Sequence, residues 1–134
     1  MTTPHNAVYA AARALMAAIF LVAGVRKLVG YAGTLGYFGA LGIPMPDLVL
    51  PLTILLEIGG GMALLIGWRA GWFAAALGLF TLASALLAHR FWAAEPAQFA
   101  NQLNHFLKNV AIAGGLLLVA AIDMKKRQPE NQPA

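Results

Sequence analysis

Four stretches of about 20 residues each, 8–28, 47–67, 70–90 and 103–123, are mainly apolar, the last after polar first turns, with little chain left over. A helix rises about 1.5 Å per residue, so about 20 apolar residues match a hydrocarbon core about 30 Å thick. Lipid offers the backbone N–H and C=O groups no partners, which leaves the helix as the conformation for such windows. The chain is 60% hydrophobic and 10% charged, against about 25% charged in soluble domains. The pattern predicts an all-α integral membrane protein, an antiparallel four-helix bundle. Residues 1–7 would be an amino-terminal tail, 8–123 the transmembrane domain and 124–134 a basic, polar tail. The leading MTTPHNAVYAAA carries no basic segment, and the apolar run after it offers no small-residue cleavage site before the next charges, so the first helix is expected to be retained.

Composition removes several functions. There is no cysteine, hence no disulfide, thiol redox chemistry or thiolate metal site, and any redox role needs a bound cofactor or another subunit. The net charge of +4 is spread over helix ends, and only Lys125, Lys126 and Arg127 form a run. That run suits an anchor at a phospholipid surface better than a nucleic-acid site. No strand precedes a glycine-rich loop, so nothing points to a nucleotide.

Between the first two windows, GYAGTLGYFGALGIPMP places glycine at 30, 33, 36, 39 and 42. With almost no proline before residue 44, the repeat cannot be collagen-like. It predicts a short interfacial helix, with Tyr31, Tyr37 and Phe38 as interfacial aromatics. Pro44 and Pro46 would end that helix, and Pro51 falls in the first turn of the second spanning helix. Trp68, Trp72 and Trp92 read as interface aromatics, and Trp68, Arg69 and Gly71 as a tight hairpin between the second and third helices.

With four crossings both ends of the chain lie on one side. Arg13, Arg69, Lys125, Lys126 and Arg127 lie toward that side, against Arg26, Lys27, Arg90 and Lys108 toward the other. The positive-inside rule then places both termini in the cytoplasm of a bacterial inner membrane. The margin widens if Lys27 and Lys108 turn into the bundle and cease to be loop charges.

Glu57 is out of keeping with its surroundings. It sits inside LVLPLTILLEIGGGMALLIGW (48–68), about ten residues or about 15 Å from either end. A charge at that depth costs about 2.5–3.5 kcal/mol on insertion scales, so it should face the bundle interior and have a partner. Antiparallel threading brings to its side Arg26 and Lys27 from the first helix, His89 and Arg90 from the third, and Asn101, Asn104, His105 and Lys108 from the fourth. Three- and four-residue spacing puts Asn101, Asn104 or His105, Lys108 and Gly115 on one face, and Thr53, Glu57, Gly60 and Gly61 on another. The expectation is an outward-opening polar pocket with Glu57 near its floor and Lys27 or Lys108 as its partner. Glycines at 24, 59–61 and 114–115 would let the helices approach closely.

A buried ion pair that only sets helix register would use the same residues. Arg13, Arg26 and Arg90 read as helix-end residues snorkelling to lipid phosphate. His89 and His105 lack the third ligand and the spacing that a metal or haem site needs, and read as hydrogen-bonded residues or proton relays.

Several motifs recur together in one order: RALMAAIFLVAGVRKL (13–28), YAGT (31–34), LGIP (41–44), LEIGGGMALLIG (56–67), AHRFW (88–92) and LKNVAIAGGLLL (107–118). Over about residues 11–121 the chain resembles the DoxX family of small four-helix bacterial membrane proteins. The resemblance implies an inner-membrane location and a recurring polar set at Lys27, Glu57, His89, Lys108 and Asn109. Relatives are linked to quinone-coupled sulfur oxidation, redox-stress complexes and methylamine utilisation. A thiol-based mechanism cannot be carried over to a chain without cysteine.

The leading expectation is a redox-accessory subunit binding a quinone or another small polar-headed molecule, as part of a quinone-linked oxidoreductase if it takes part in catalysis. Lys27 or Lys108 would hydrogen-bond the ligand, His89 would relay a proton, and Glu57 would hold the lysine charged or exchange a proton with it. The alternatives are a small-molecule or proton-coupled permease or channel subunit, and a structural assembly factor. Expected partners are the lipid bilayer, other redox subunits in the membrane or cytoplasm, or a second copy. Neither metal nor nucleic acid is indicated.

Overall fold

The computed structural model describes residues 4–128. Its elements are α1 (Pro4–Val29), α2 (Tyr31–Ala40), α3 (Pro46–Ile66), α4 (Ala70–Ala88), a 3-10 turn at Phe91–Ala93, and α5 (Pro96–Arg127). Four of these helices are long and apolar enough to cross a membrane. The predicted all-α, four-spanning architecture is therefore present, with α2 as the short helix between the first two spans.

The helices run past the apolar windows. Residues 4–7 belong to α1 and 124–127 to α5, so helix replaces those parts of the expected tails. Residues 1–3 and 129–134 lie outside the described residues. The 32 residues of α5 measure about 48 Å, more than the hydrocarbon thickness. Its polar first turns thus extend a helix that apolar content alone would start at 103. Pro51 lies inside α3, one turn later than expected, on its exposed side. The turn between α3 and α4 is made at Gly67, whose φ of 80° ends α3 in the left-handed conformation that glycine adopts without a Cβ clash. Gly71, expected in that hairpin, is instead buried in the first turn of α4.

α1 packs along α3 and α4 packs along α5, whereas α3 meets α4 more sparsely and α1 barely meets α5. The bundle is thus two tight helix pairs. Near the end that holds the termini, Ala17, Phe20, Leu64, Ala74, Leu77 and Leu116 close the space between them. At the other end Phe38 packs with Leu50 and Ile54 and pins α2 onto α3. Phe38 is therefore a buried anchor rather than an interfacial aromatic. Gly33, Gly36 and Gly39 form the open side of α2. Between the packed layers the two pairs separate.

Candidate functional site

The separation leaves a cavity of about 540 Å³ in the half of the bundle away from the termini. α3 contributes Thr53 and Glu57, four residues apart and so on one face. α1 contributes Lys27 from its last turn, α4 contributes Thr81, Ser84 and His89, and α5 contributes Asn109. Most of the remaining wall is apolar, including Phe20, Phe38 and Phe80.

Glu57 is 3% exposed. Its Oε1 accepts a hydrogen bond from Lys27 Nζ at 2.9 Å, and the lysine side chain keeps 24% of its surface accessible. Of the two lysines the sequence offered, Lys27 is the partner. Close backbone approach makes the pair. A Cβ at Gly24 would stand 2.6 Å from Ile58 Cγ1 and 3.2 Å from Glu57 Cβ, so α1 touches α3 where a methyl group has no room. Lys27 lies three residues further along the same helix face. Gly61 meets Leu21 and Gly60 meets Leu77 in the same way, whereas Gly59 and Gly114 face open space. Glu57 Oε2 is buried and has no hydrogen-bond partner among the described residues.

α5 is rotated from the face its polar residues suggested. Phe106, Asn109, Ala113, Leu116 and Ala120 turn inward, and Asn101, Asn104, His105 and Lys108 are exposed. Asn109 lines the cavity, and Lys108, about 100° round the helix from it, faces outward. The apolar residues of the later turns decide this, because their burial outweighs the placement of side chains that can reach water. His89 Nδ1 lies 3.0 Å from Gln102 Oε1, and the exposed His105 ring stacks on His89 with centroids 5.0 Å apart. The structure therefore brings Lys27, Glu57, His89 and Asn109 to the cavity, sets His105 behind His89, and leaves Lys108 outside.

Sequence reasoning missed Thr81, Ser84 and Gln102. The first two are three residues apart on an otherwise apolar helix, a spacing that marks one face. Thr81 Oγ1 donates back to Leu77 O at 2.7 Å, which satisfies its buried hydroxyl. Arg26 and Arg90 are exposed, in keeping with helix-end snorkelling.

A second polar cluster lies at the end holding the termini. Asp123 Oδ2 accepts from the Gly71 backbone N–H at 2.9 Å and from Arg127 Nε at 2.8 Å. No side chain of α4's own N-cap satisfies its first-turn donors, so a carboxylate from α5 caps the helix. A Cβ at Gly71 would stand 2.9 Å from that oxygen. Arg13 Nη1 donates to Leu64 O at 3.2 Å, which ties α1 to the end of α3 and corrects the snorkelling reading for this arginine. The Asp123–Arg127 pair at i, i+4 was a readable signal. Asp123→Ala should lower stability by about 1–2 kcal/mol, measured as thermal unfolding in detergent, and Asp123→Asn should cost less because its carbonyl still caps Gly71.

A model of the DoxX family matches residues 8–90. The chain belongs to the DoxX family. It is 44% identical over 111 residues to the inner membrane protein YqjF of Escherichia coli K12, covering 81% of this chain and 78% of that one. It is 31% identical over 109 residues to the inner membrane protein YphA of the same organism, with the same coverage. No solved structure matches it. Lys27, Glu57 and His89 of the DoxX cavity lie within the matched span, and Asn109 lies beyond it.

Proposed function

We propose that this DoxX-family protein is an inner-membrane redox-accessory subunit whose cavity binds a quinone-type molecule, an apolar body with a polar head. The observation that carries the reading is Glu57. A carboxylate that lines the cavity, buried near mid-membrane, keeps one oxygen on Lys27 and has a second, enclosed oxygen without a partner among the described residues. Buried polar groups are normally satisfied, and a small shift of the cavity wall that opened this oxygen to a ligand's donor group would complete it. A largely apolar cavity with a few convergent polar groups is the usual form of a small-molecule site.

The residues fit such a head group. The Asn109 amide and Lys27 ammonium can donate to ring oxygens, His89 can hold a proton beside them, and Phe20, Phe38 and Phe80 provide apolar walls. A quinone would supply two-electron, two-proton redox chemistry, which the protein's own side chains lack. The packed layer of Ala17, Leu64, Leu77 and Leu116 beneath the cavity favours binding over a permease path. Termini in the cytoplasm accord with the exposed charges. Counting only the exposed basic residues among those described, and so leaving out the half-buried Lys27 and Arg13, the balance is Arg69, Lys125, Lys126 and Arg127 against Arg26, Arg90 and Lys108.

Calorimetric titration of purified protein in detergent with a short-chain quinone and with its quinol tests the proposal. Saturable binding of at least one of them is expected. Asn109→Leu should weaken it about tenfold, the size of one lost hydrogen bond, while leaving the ion pair intact. Absence of saturable binding of both forms defeats the reading.

A further inference from the structure

The end of the bundle that holds the termini gathers basic side chains around the turn between α3 and α4. Arg13 of α1 lays its guanidinium on Gly67, where an added Cβ would stand 3.0 Å from Arg13 Cζ. Two residues on, Arg69 takes a left-handed φ of 46° at the start of α4 and holds its Cζ 5.7 Å from the centroid of the Trp68 ring. Two residues further, the Gly71 N–H meets Asp123 Oδ2, which also accepts from Arg127 Nε. Tyr9 joins the group, with Arg13 Cζ 5.1 Å and Lys126 Nζ 4.4 Å from its ring centroid. Three distant segments thus bring four cations to one turn.

Arg69, Lys126 and Arg127 are exposed, and Arg13 is half-buried. Asp123 is the one carboxylate at this end among the described residues, since Asp47 and Glu95 lie at the starts of α3 and α5 and Glu57 lines the cavity. It is already shared by two donors. Arg127 reaches it through Nε, and Arg69 forms no ion pair among the described residues. Like charges gathered in this way repel one another, and an anion among them relieves the repulsion. Guanidinium forks match the oxygens of a phosphate, and a lysine adds a point charge. Beside the cations the surface is apolar, with Ile66, Trp68 and Trp72 each more than half exposed. We infer that Arg69, Lys126 and Arg127 form a binding site for the headgroup phosphate of an anionic phospholipid, whose acyl chains lie along Ile66 and Trp72. The run at 125–127 alone suits any anionic surface, whereas the fold adds Arg69 and so defines a place for one headgroup. A zwitterionic headgroup would bring its ammonium against four cations, which disfavours it.

The full chain in an uncharged detergent is titrated with phosphatidylglycerol, with phosphatidylcholine of the same acyl chains, and with glycerol 3-phosphate, and bound species are counted by native mass spectrometry. A basic residue beside an anionic lipid is worth about fivefold in affinity. Arg69 and Lys126 together should therefore make phosphatidylglycerol bind about 25-fold more tightly than phosphatidylcholine. Arg69→Asn/Lys126→Gln should remove most of that preference. Neither residue takes part in the Asp123 cap, and asparagine tolerates the left-handed conformation. Arg26→Gln/Arg90→Gln removes the same charge from the opposite end and should leave the preference intact. If the Arg69 variant does not fold, Lys126→Gln alone should cost about fivefold. Equal binding of the two lipids overturns the inference, as does a preference that survives in the Arg69/Lys126 variant. An equal loss in the Arg26/Arg90 variant also overturns it, because overall charge would then set the preference. Glycerol 3-phosphate bound as tightly as phosphatidylglycerol does the same, since the site would then serve a soluble phosphate.

Discussion

Lys27→Met should destabilise the protein by about 3–5 kcal/mol, the cost of removing one member of a buried ion pair. The variant leaves a carboxylate that is 3% exposed without its cation. Glu57→Gln should cost less. The lysine it strands lies in the last turn of α1 and keeps a quarter of its surface accessible, so its ammonium can snorkel outward. The double variant Lys27→Met/Glu57→Gln should recover much of the loss, because no uncompensated charge remains. Unfolding in detergent, followed by loss of helical signal with temperature, reads all three. Equal losses in both single variants would show that the pair is not asymmetric, and a neutral Lys27→Met would remove the pair from the stability of the fold.

The largest packing effect is expected at Gly24. A single Cβ there already falls 2.6 Å from Ile58 Cγ1 and 3.3 Å from the Ile58 backbone nitrogen. Ile58 can move its side chain, but it cannot move its main chain without shifting α3. Gly24→Leu should therefore cost at least the upper end of the usual overpacking range, about 3 kcal/mol, and should pull Lys27 off Glu57 as α1 is pushed away. Gly59→Ala and Gly114→Ala are the controls. Nothing lies within 4 Å of a Cβ at either position, and alanine is the better helix former, so their unfolding temperatures should match or exceed the wild type. A folded Gly24→Leu with an intact cavity would mean that the close approach of α1 and α3 is not required.

How much of the site was legible depended on how local its cause was. Glu57 announced itself because a carboxylate in an apolar window has few explanations. Its companions were narrowed by chain direction alone, since antiparallel crossings place the end of α1 and the end of α4 beside the start of α3. Which lysine pairs with Glu57 was beyond that reasoning. The glycines at 24, 60 and 61 were visible as small residues, but so were those at 59 and 114, which touch nothing. Spacing along one helix says which residues share a face, not which face meets a neighbour. Arg13 and Asp123 were obscured for the same reason: each sits near one end of its apolar window, where exposure to lipid phosphate is the common outcome, and each is instead turned inward by a group on another helix.

The sequence by itself determined that the chain is helical, that four segments are long and apolar enough to cross a membrane, and that one carboxylate lies deep among them. These follow from the cost of unpaired backbone groups and charges in hydrocarbon, which each segment meets on its own. Tertiary structure decided the rest: that α1 pairs with α3 and α4 with α5, that the two pairs part to leave a cavity, that Asn109 enters it and Lys108 does not, and that Lys27 holds Glu57. The physical reason is rotation about the helix axis. Burial of Ala113, Leu116 and Ala120 on one side of α5, and the close approach at Gly24 on α1, set those rotations through contacts between helices, and polar residues in the early turns of α5 take the positions that remain.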